Sequence, residues 1–120
     1  MKTYEIEFYE DEHGHCPVAE WLKDLDINNG IKENRSMLRK VYYQIERLEY
    51  EGTRVGEPIC KQVEGSIWEI RPIPNRVFIG IADKSKIILL HHYRKKTNKT
   101  PRLEIEKAKR EFADWQCRQR

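Results

Sequence analysis

A chain of 120 residues with 38% hydrophobic and 36% charged residues fits one domain of ordinary size, residues 1–120, with apolar matter for one modest core; its 10% aromatic content excludes a disordered chain. The net charge of +3 hides an asymmetry: residues 1–60 hold 8 Lys/Arg against 13 Asp/Glu, a net of −5, and residues 61–120 hold 15 against 7, a net of +8. The second half is therefore the half that faces anions, and clustered Lys and Arg point to a phosphate-bearing partner such as a nucleic acid, with a solvated lysine-rich surface as the plain alternative.

The chain opens on Met1-Lys2-Thr3-Tyr4-Glu5-Ile6-Glu7-Phe8, which alternates charged and apolar groups and lacks the apolar run of a secretory signal. Residues 3–9 alternate with period two, Tyr4, Ile6 and Phe8 on one side, as in a half-buried strand. Pro17 suits a first helical position, and Val18, Trp21, Leu22 and Leu25 follow at amphipathic spacing. Asn28-Asn29-Gly30 is a turn cluster. A long second helix follows, with Ile31, Leu38, Val41, Ile45 and Leu48 on its apolar stripe, and it ends near Gly52.

Four strands are then expected, at 59–63, 67–71, 76–82 and 86–93. Turns at Glu64-Gly65-Ser66, Pro72-Ile73-Pro74-Asn75 and Asp83-Lys84-Ser85 separate them, and such short connections imply antiparallel hairpins. Thr100 can cap a last helix with Pro101 at its first position, and Ile105, Ala108, Phe112 and Trp115 form its apolar face. The order β-α-α-β-β-β-β-α predicts an α+β domain, helices packed on a twisted, mostly antiparallel sheet. The longest apolar run, Ile87 to Leu90, is far short of the ~20 residues of a membrane helix. Cys16, Cys60 and Cys117 form neither a disulfide framework nor a C-x-x-C metal pair, so reduced thiols in the cytoplasm are expected.

Alternation places Trp68 and Ile70 on one face of their strand and Glu69 and Arg71 on the other. On the next strand Arg76 lies opposite Val77, Ile79 and Ile81. If the hairpin pairs accordingly, Arg71 and Arg76 lie side by side, where an anion can bridge two guanidinium groups that otherwise repel; alternatively both pair with Glu64, Glu69 or surface acids. The last strand runs from apolar residues into His91-His92-Tyr93-Arg94-Lys95-Lys96, rings and cations interleaved as unpaired nucleotides require. His91 and Tyr93 share a face and His92 points opposite; which set lines a site stays open at this stage. The chain has no phosphate loop, no H-E-x-x-H and no acidic cluster for paired magnesium ions, so no cofactor and no metal is expected.

Trp68-Glu69-Ile70-Arg71, Asn75-Arg76-Val77-Phe78 and the block Leu89 to Pro101, continuing to Glu104-Ile105 and Ala108-Lys109, resemble the phage-derived, Gp49-like branch of the RelE/HigB toxins within the RelE/ParE superfamily. The resemblance spans nearly the whole chain. It implies the toxin of a type II toxin–antitoxin pair, a metal-independent messenger-RNA endoribonuclease that acts in the ribosomal decoding site and inhibits translation. A HigA-like helix-turn-helix antitoxin, bound as a hetero-oligomer, is the implied partner. On this likeness Arg71 and Arg76 stabilise the phosphorane formed when a ribose 2′-hydroxyl attacks the adjacent phosphate. Lys61 is a further cation, and His92 is the first choice for proton transfer because its ordinary pKa of ~6.5 lies near neutrality. Tyr93 stacks a base or positions the ribose, while Arg94, Lys95, Lys96 and Lys99 hold phosphates. Asn75 and His92 depart from the commoner family residues, tyrosine or glycine at the first and glycine at the second. The alternatives are a ParE-like inhibitor of DNA gyrase on the same scaffold and a non-catalytic RNA-binding module.

Overall fold

The structure, a computed structural model, describes residues 1–83 and 85–119. Its elements follow the order β1 (Glu5–Phe8), α1 (Pro17–Ile27), α2 (Lys32–Glu51), a 3-10 turn over Gly52–Val55, β2 (Cys60–Glu64), β3 (Ile67–Ile70), β4 (Asn75–Ile81), β5 (Lys86–Arg94) and α3 (Arg102–Arg118). The strands form one sheet in the order β1-β5-β4-β3-β2. The three hairpin pairs are antiparallel, as the short turns require. β1 instead runs parallel to β5, because α1 and α2 intervene before the chain returns to the sheet.

The sheet has an apolar layer on each face. On one, Val18, Leu22, Met37, Val41 and Leu48 of α1 and α2 pack on Ile70, Val77, Ile79, Ile87 and Leu89. On the other, Ile105, Ala108, Phe112 and Trp115 of α3 pack on Ile67, Phe78, Ile88 and Leu90. α3 is held at its edges by polar contacts. Glu64 of β2 accepts hydrogen bonds from Arg102 and Lys109 at 2.7 and 2.6 Å, and these donors hold its carboxyl down at about 2. At the opposite sheet edge the Tyr9 hydroxyl donates to Asp114 at 2.6 Å, and Trp115 Nε1 donates to Glu7.

The main departures from the expected elements lie at helix ends and in one strand. Ile31 stands at the N-cap of α2 and is 54% exposed, so it is not part of the buried stripe. Met37 and Gln44 join Val41 and Leu48 on the buried side instead. Pro101, not Thr100, occupies the cap position of α3, with no side-chain cap bond. A bulge between Phe78 and Ile79 pairs Phe78 with His91 and Ile79 with Leu89, so Leu90 and His91 both face α3. Lys84, in the expected turn Asp83-Lys84-Ser85, lies outside the described residues; Ser85 bonds to Asp83 through its backbone N–H at 2.9 Å. Cys16, Cys60 and Cys117 are free thiols. Among the described residues no helix is long and apolar enough to cross a membrane.

Candidate functional site

α3 covers only part of its face of the sheet. Beyond its N-terminus β2, the end of β3 and the segment after β5 leave a groove of about 420 Å³, lined by Lys61, Glu69, Arg71, Lys95, Asn98, Lys99 and Thr100 among others. A second hollow of about 370 Å³ adjoins it, sharing Lys95 and Asn98 and adding Arg76, Lys96 and Thr97. Cross-strand pairing sets this layout. Lys61 lies opposite Glu69, and Arg76 lies opposite Tyr93, so alternation delivers all four side chains to the α3 face.

Glu69 links the two arginines. It is 2% exposed, and its Oε2 lies 3.3 Å from Arg71 Nε and 3.5 Å from Arg76 Nε. Arg71 also reaches Glu57 at 3.5 Å, and Gln44 of α2 donates to the Arg71 carbonyl at 3.1 Å, fixing the end of the strand from beneath. Arg71 and Arg76 are thus adjacent, as alternation requires. The ion-pair alternative is also partly realised, since both face Glu69, while Glu64 is engaged by α3.

The polar atoms here are incompletely satisfied. Among the described residues five buried side-chain polar atoms have no hydrogen-bond partner, and four of them are Glu69 Oε1, Arg71 Nε, Arg76 Nε and Tyr93 Oη. The two arginine Nε atoms are near enough to Glu69 for charge pairing but are not aligned as hydrogen bonds. An unmade bond at a buried polar atom costs about 1–3 kcal/mol, so the carboxylate oxygen and the two guanidinium nitrogens mark a site with bonds left for a ligand to complete. Burial pushes the Tyr93 phenol up, and the neighbouring Thr100 hydroxyl opposes that in part.

The expected site residues divide between the two faces. Lys61, Arg71, Arg76, Tyr93, Lys95, Lys96 and Lys99 gather around the paired hollows. His92 does not join them. It projects to the α1 side of β5 and stacks on Trp21, ring centroids 4.0 Å apart and 7° from parallel, and burial there brings its pKa down to about 4. Arg94 lies on that side too, at the rim of a separate hollow of about 550 Å³ with Trp21, Lys32 and Lys40. Glu69, which the sequence offered with Glu64 as an ion-pair partner for both arginines, is the one of the two that lies between them. His91, on the Tyr93 face as alternation requires, is 2% exposed; its Nε2 contacts Glu104 at 2.9 Å and its Nδ1 contacts Glu111. These carboxylates lie seven residues apart on one face of α3, a spacing visible in the sequence.

A mixed five-stranded sheet between a helical hairpin and a C-terminal helix, with paired arginines in a basic groove at its open end, is the layout expected of a small RelE/ParE-type toxin-like domain. The chain belongs to the phage-derived Gp49-like protein family, a toxin-like family of that type, whose model matches residues 20–113. Among curated proteins no relative matches the chain.

Proposed function

We propose that this protein is a single-domain, cytoplasmic endoribonuclease toxin that cleaves messenger RNA, with Arg71 and Arg76 stabilising the charge that develops on the scissile phosphate. The observation that carries this reading is the pair of arginines facing buried Glu69, with unpartnered carboxylate and guanidinium atoms, where the two basic hollows adjoin. Guanidinium N–H groups held in place before substrate arrives lose little reorganisation energy as the phosphorane forms, which is how fixed donors lower a barrier. Tyr93, cross-strand from Arg76 on the same face of the sheet, is the residue we assign to positioning the ribose, and Lys61, Lys95, Lys96 and Lys99 along the rims suit the neighbouring phosphates. His92, across the sheet and stacked on Trp21, has no part in this reaction. The family likeness adds the decoding site of the ribosome as the place of action, metal-independent cleavage, and a helix-turn-helix antitoxin as partner.

The test is expression with mapping of new messenger-RNA 5′ ends, with and without ribosomes. Neutral substitutions suit this site better than charge reversal, which would set a second carboxylate beside buried Glu69. Arg71→Gln and Arg76→Gln are each expected to lower the cleavage rate by about 10²- to 10³-fold, with circular dichroism and unfolding still cooperative. Wild-type cleavage rates in both folded variants would remove the anion site. Growth arrest with no new 5′ ends but stalled gyrase would replace cleavage with gyrase inhibition.

A further inference from the structure

We infer that Glu69 is the proton acceptor for the attacking ribose hydroxyl, an inference that rests on the RNA-cleavage reading above. Its two carboxylate oxygens have different surroundings. Oε2 faces Arg71 and Arg76 at 3.3 and 3.5 Å, whereas Oε1 is buried, lacks a hydrogen-bond donor among the described residues, and belongs to a side chain that lines the groove. An ionised carboxylate oxygen can only accept, so the ligand group that completes Oε1 is a donor. On RNA the donor next to a phosphate is the 2′-hydroxyl, the group that distinguishes RNA from DNA. Glu69 and Arg71 line one hollow and Arg76 the adjoining one, with the carboxylate between the two guanidinium groups, so a phosphate held by the arginines has its neighbouring 2′-oxygen close to the carboxylate.

The step balances without a further reactant. The 2′ O–H bond breaks and its proton passes to Glu69 Oε1 while O2′ bonds to phosphorus. The P–O5′ bond breaks, the departing 5′ oxygen takes a proton from water, and Glu69 returns its own proton to solvent, leaving a 2′,3′-cyclic phosphate and a 5′-hydroxyl. The charged and titratable groups around Glu69 are Arg71, Arg76, the cross-strand Lys61, Lys95 and Lys99 of the same groove, Tyr93 of β5 and the Cys60 thiol of β2. A proton acceptor among these produces an acidic limb in the pH dependence of cleavage, where its protonation stops the reaction.

A carboxylate that only neutralised the arginines would move substrate affinity and stability, so the test reads what that role leaves unmoved. Messenger RNA on programmed ribosomes, and the same RNA free, are cleaved by wild type, Glu69→Gln and Glu69→Asp, with pH–rate profiles and a parallel substrate whose leaving oxygen is replaced by sulfur. Glu69→Gln is expected to lose at least about 10²-fold in kcat with KM little changed, to lose the acidic limb, and to remain slow on the sulfur substrate, which no longer needs a proton on its leaving atom. Glu69→Asp, which retains a carboxylate, is expected to keep the limb at a reduced rate, and it decides the matter if the Gln variant does not fold. An acidic limb unchanged in Glu69→Gln, a limb missing from Glu69→Asp, a defect confined to KM, or recovery on the sulfur substrate would each overturn Glu69 as acceptor while leaving the nuclease in place. No cleavage by wild type on or off the ribosome would overturn both.

Discussion

His92 stacks on Trp21 and is partly shielded from water, so its charged form is disfavoured in the folded protein, where its pKa lies at about 4. In the unfolded chain it titrates near its ordinary value of ~6.5. Between those limits the unfolded state binds more protons, so the contribution to stability is complete above pH ~6.5 and is lost as pH falls towards about 4. Urea unfolding at pH 7 and pH 5 is expected to show wild type losing about 1–2 kcal/mol more than His92→Phe, which keeps a ring on Trp21 but cannot titrate. Equal losses would mean that His92 is solvated as it is in the unfolded chain. The carboxylates, Glu64 foremost, titrate lower and are common to both proteins, so their contribution cancels. At this scale the sequence was informative wherever one strand supplied the answer: alternation placed Arg71 beside Glu69 and put His92 opposite Tyr93. It was silent wherever the environment came from elsewhere in the chain. Trp21 lies in α1, and nothing near His92 in sequence announces that a distant indole covers it.

α3 lies against β4 where a glycine allows it. A Cβ at Gly80 would meet the Phe112 ring at 2.5 Å, closer than packed side chains tolerate. Gly80→Ala is therefore expected to cost about 1–3 kcal/mol through overpacking. Phe112→Leu, which withdraws the ring, should recover part of that cost in the double variant. Chemical denaturation of the four proteins gives the coupling; strict additivity of the two substitutions would show that the sheet, not the ring, makes room. The helices were legible because their apolar residues recur at helical spacing, and the antiparallel hairpins because their turns are short. Two features at this scale were not. The parallel pairing of β1 with β5 joins segments about 80 residues apart in sequence. The bulge beside Phe78 turns Leu90 and His91 to the same face, and a period-two pattern cannot reveal a residue that has slipped out of the ladder. That bulge also brings His91 to Glu104 and Glu111, which ties β5 to the helix bordering the groove.

Across the whole molecule the charge asymmetry has a definite location. The half of the chain carrying a net +8 supplies β2 to β5, the rim after β5 and α3, and within it Glu64 draws Arg102 and Lys109 of α3 into ion pairs. The cations left around the hollows are Lys61, Arg71, Arg76, Lys95, Lys96 and Lys99, two of them facing Glu69. If the four lysines neutralise backbone phosphates, binding to single-stranded RNA should weaken with salt at a log–log slope of about −3, each contact adding roughly −0.7. Lys96→Gln should then flatten the slope by about 0.7 and weaken all sequences alike, because a phosphate contact carries no base information. Lys23→Gln, on exposed α1 in the acidic half, should change neither. Fluorescence anisotropy of a labelled RNA across about 50 to 200 mM salt measures both quantities. A slope sensitive to Lys23 and indifferent to Lys96 would move the anion-binding surface to the other face, where Arg94, Lys32 and Lys40 border the hollow beside Trp21. Composition alone cannot choose between these surfaces, since the sheet exposes cations on both sides; what separates them is that, among the described residues, the unpartnered carboxylate and guanidinium atoms lie on the α3 side.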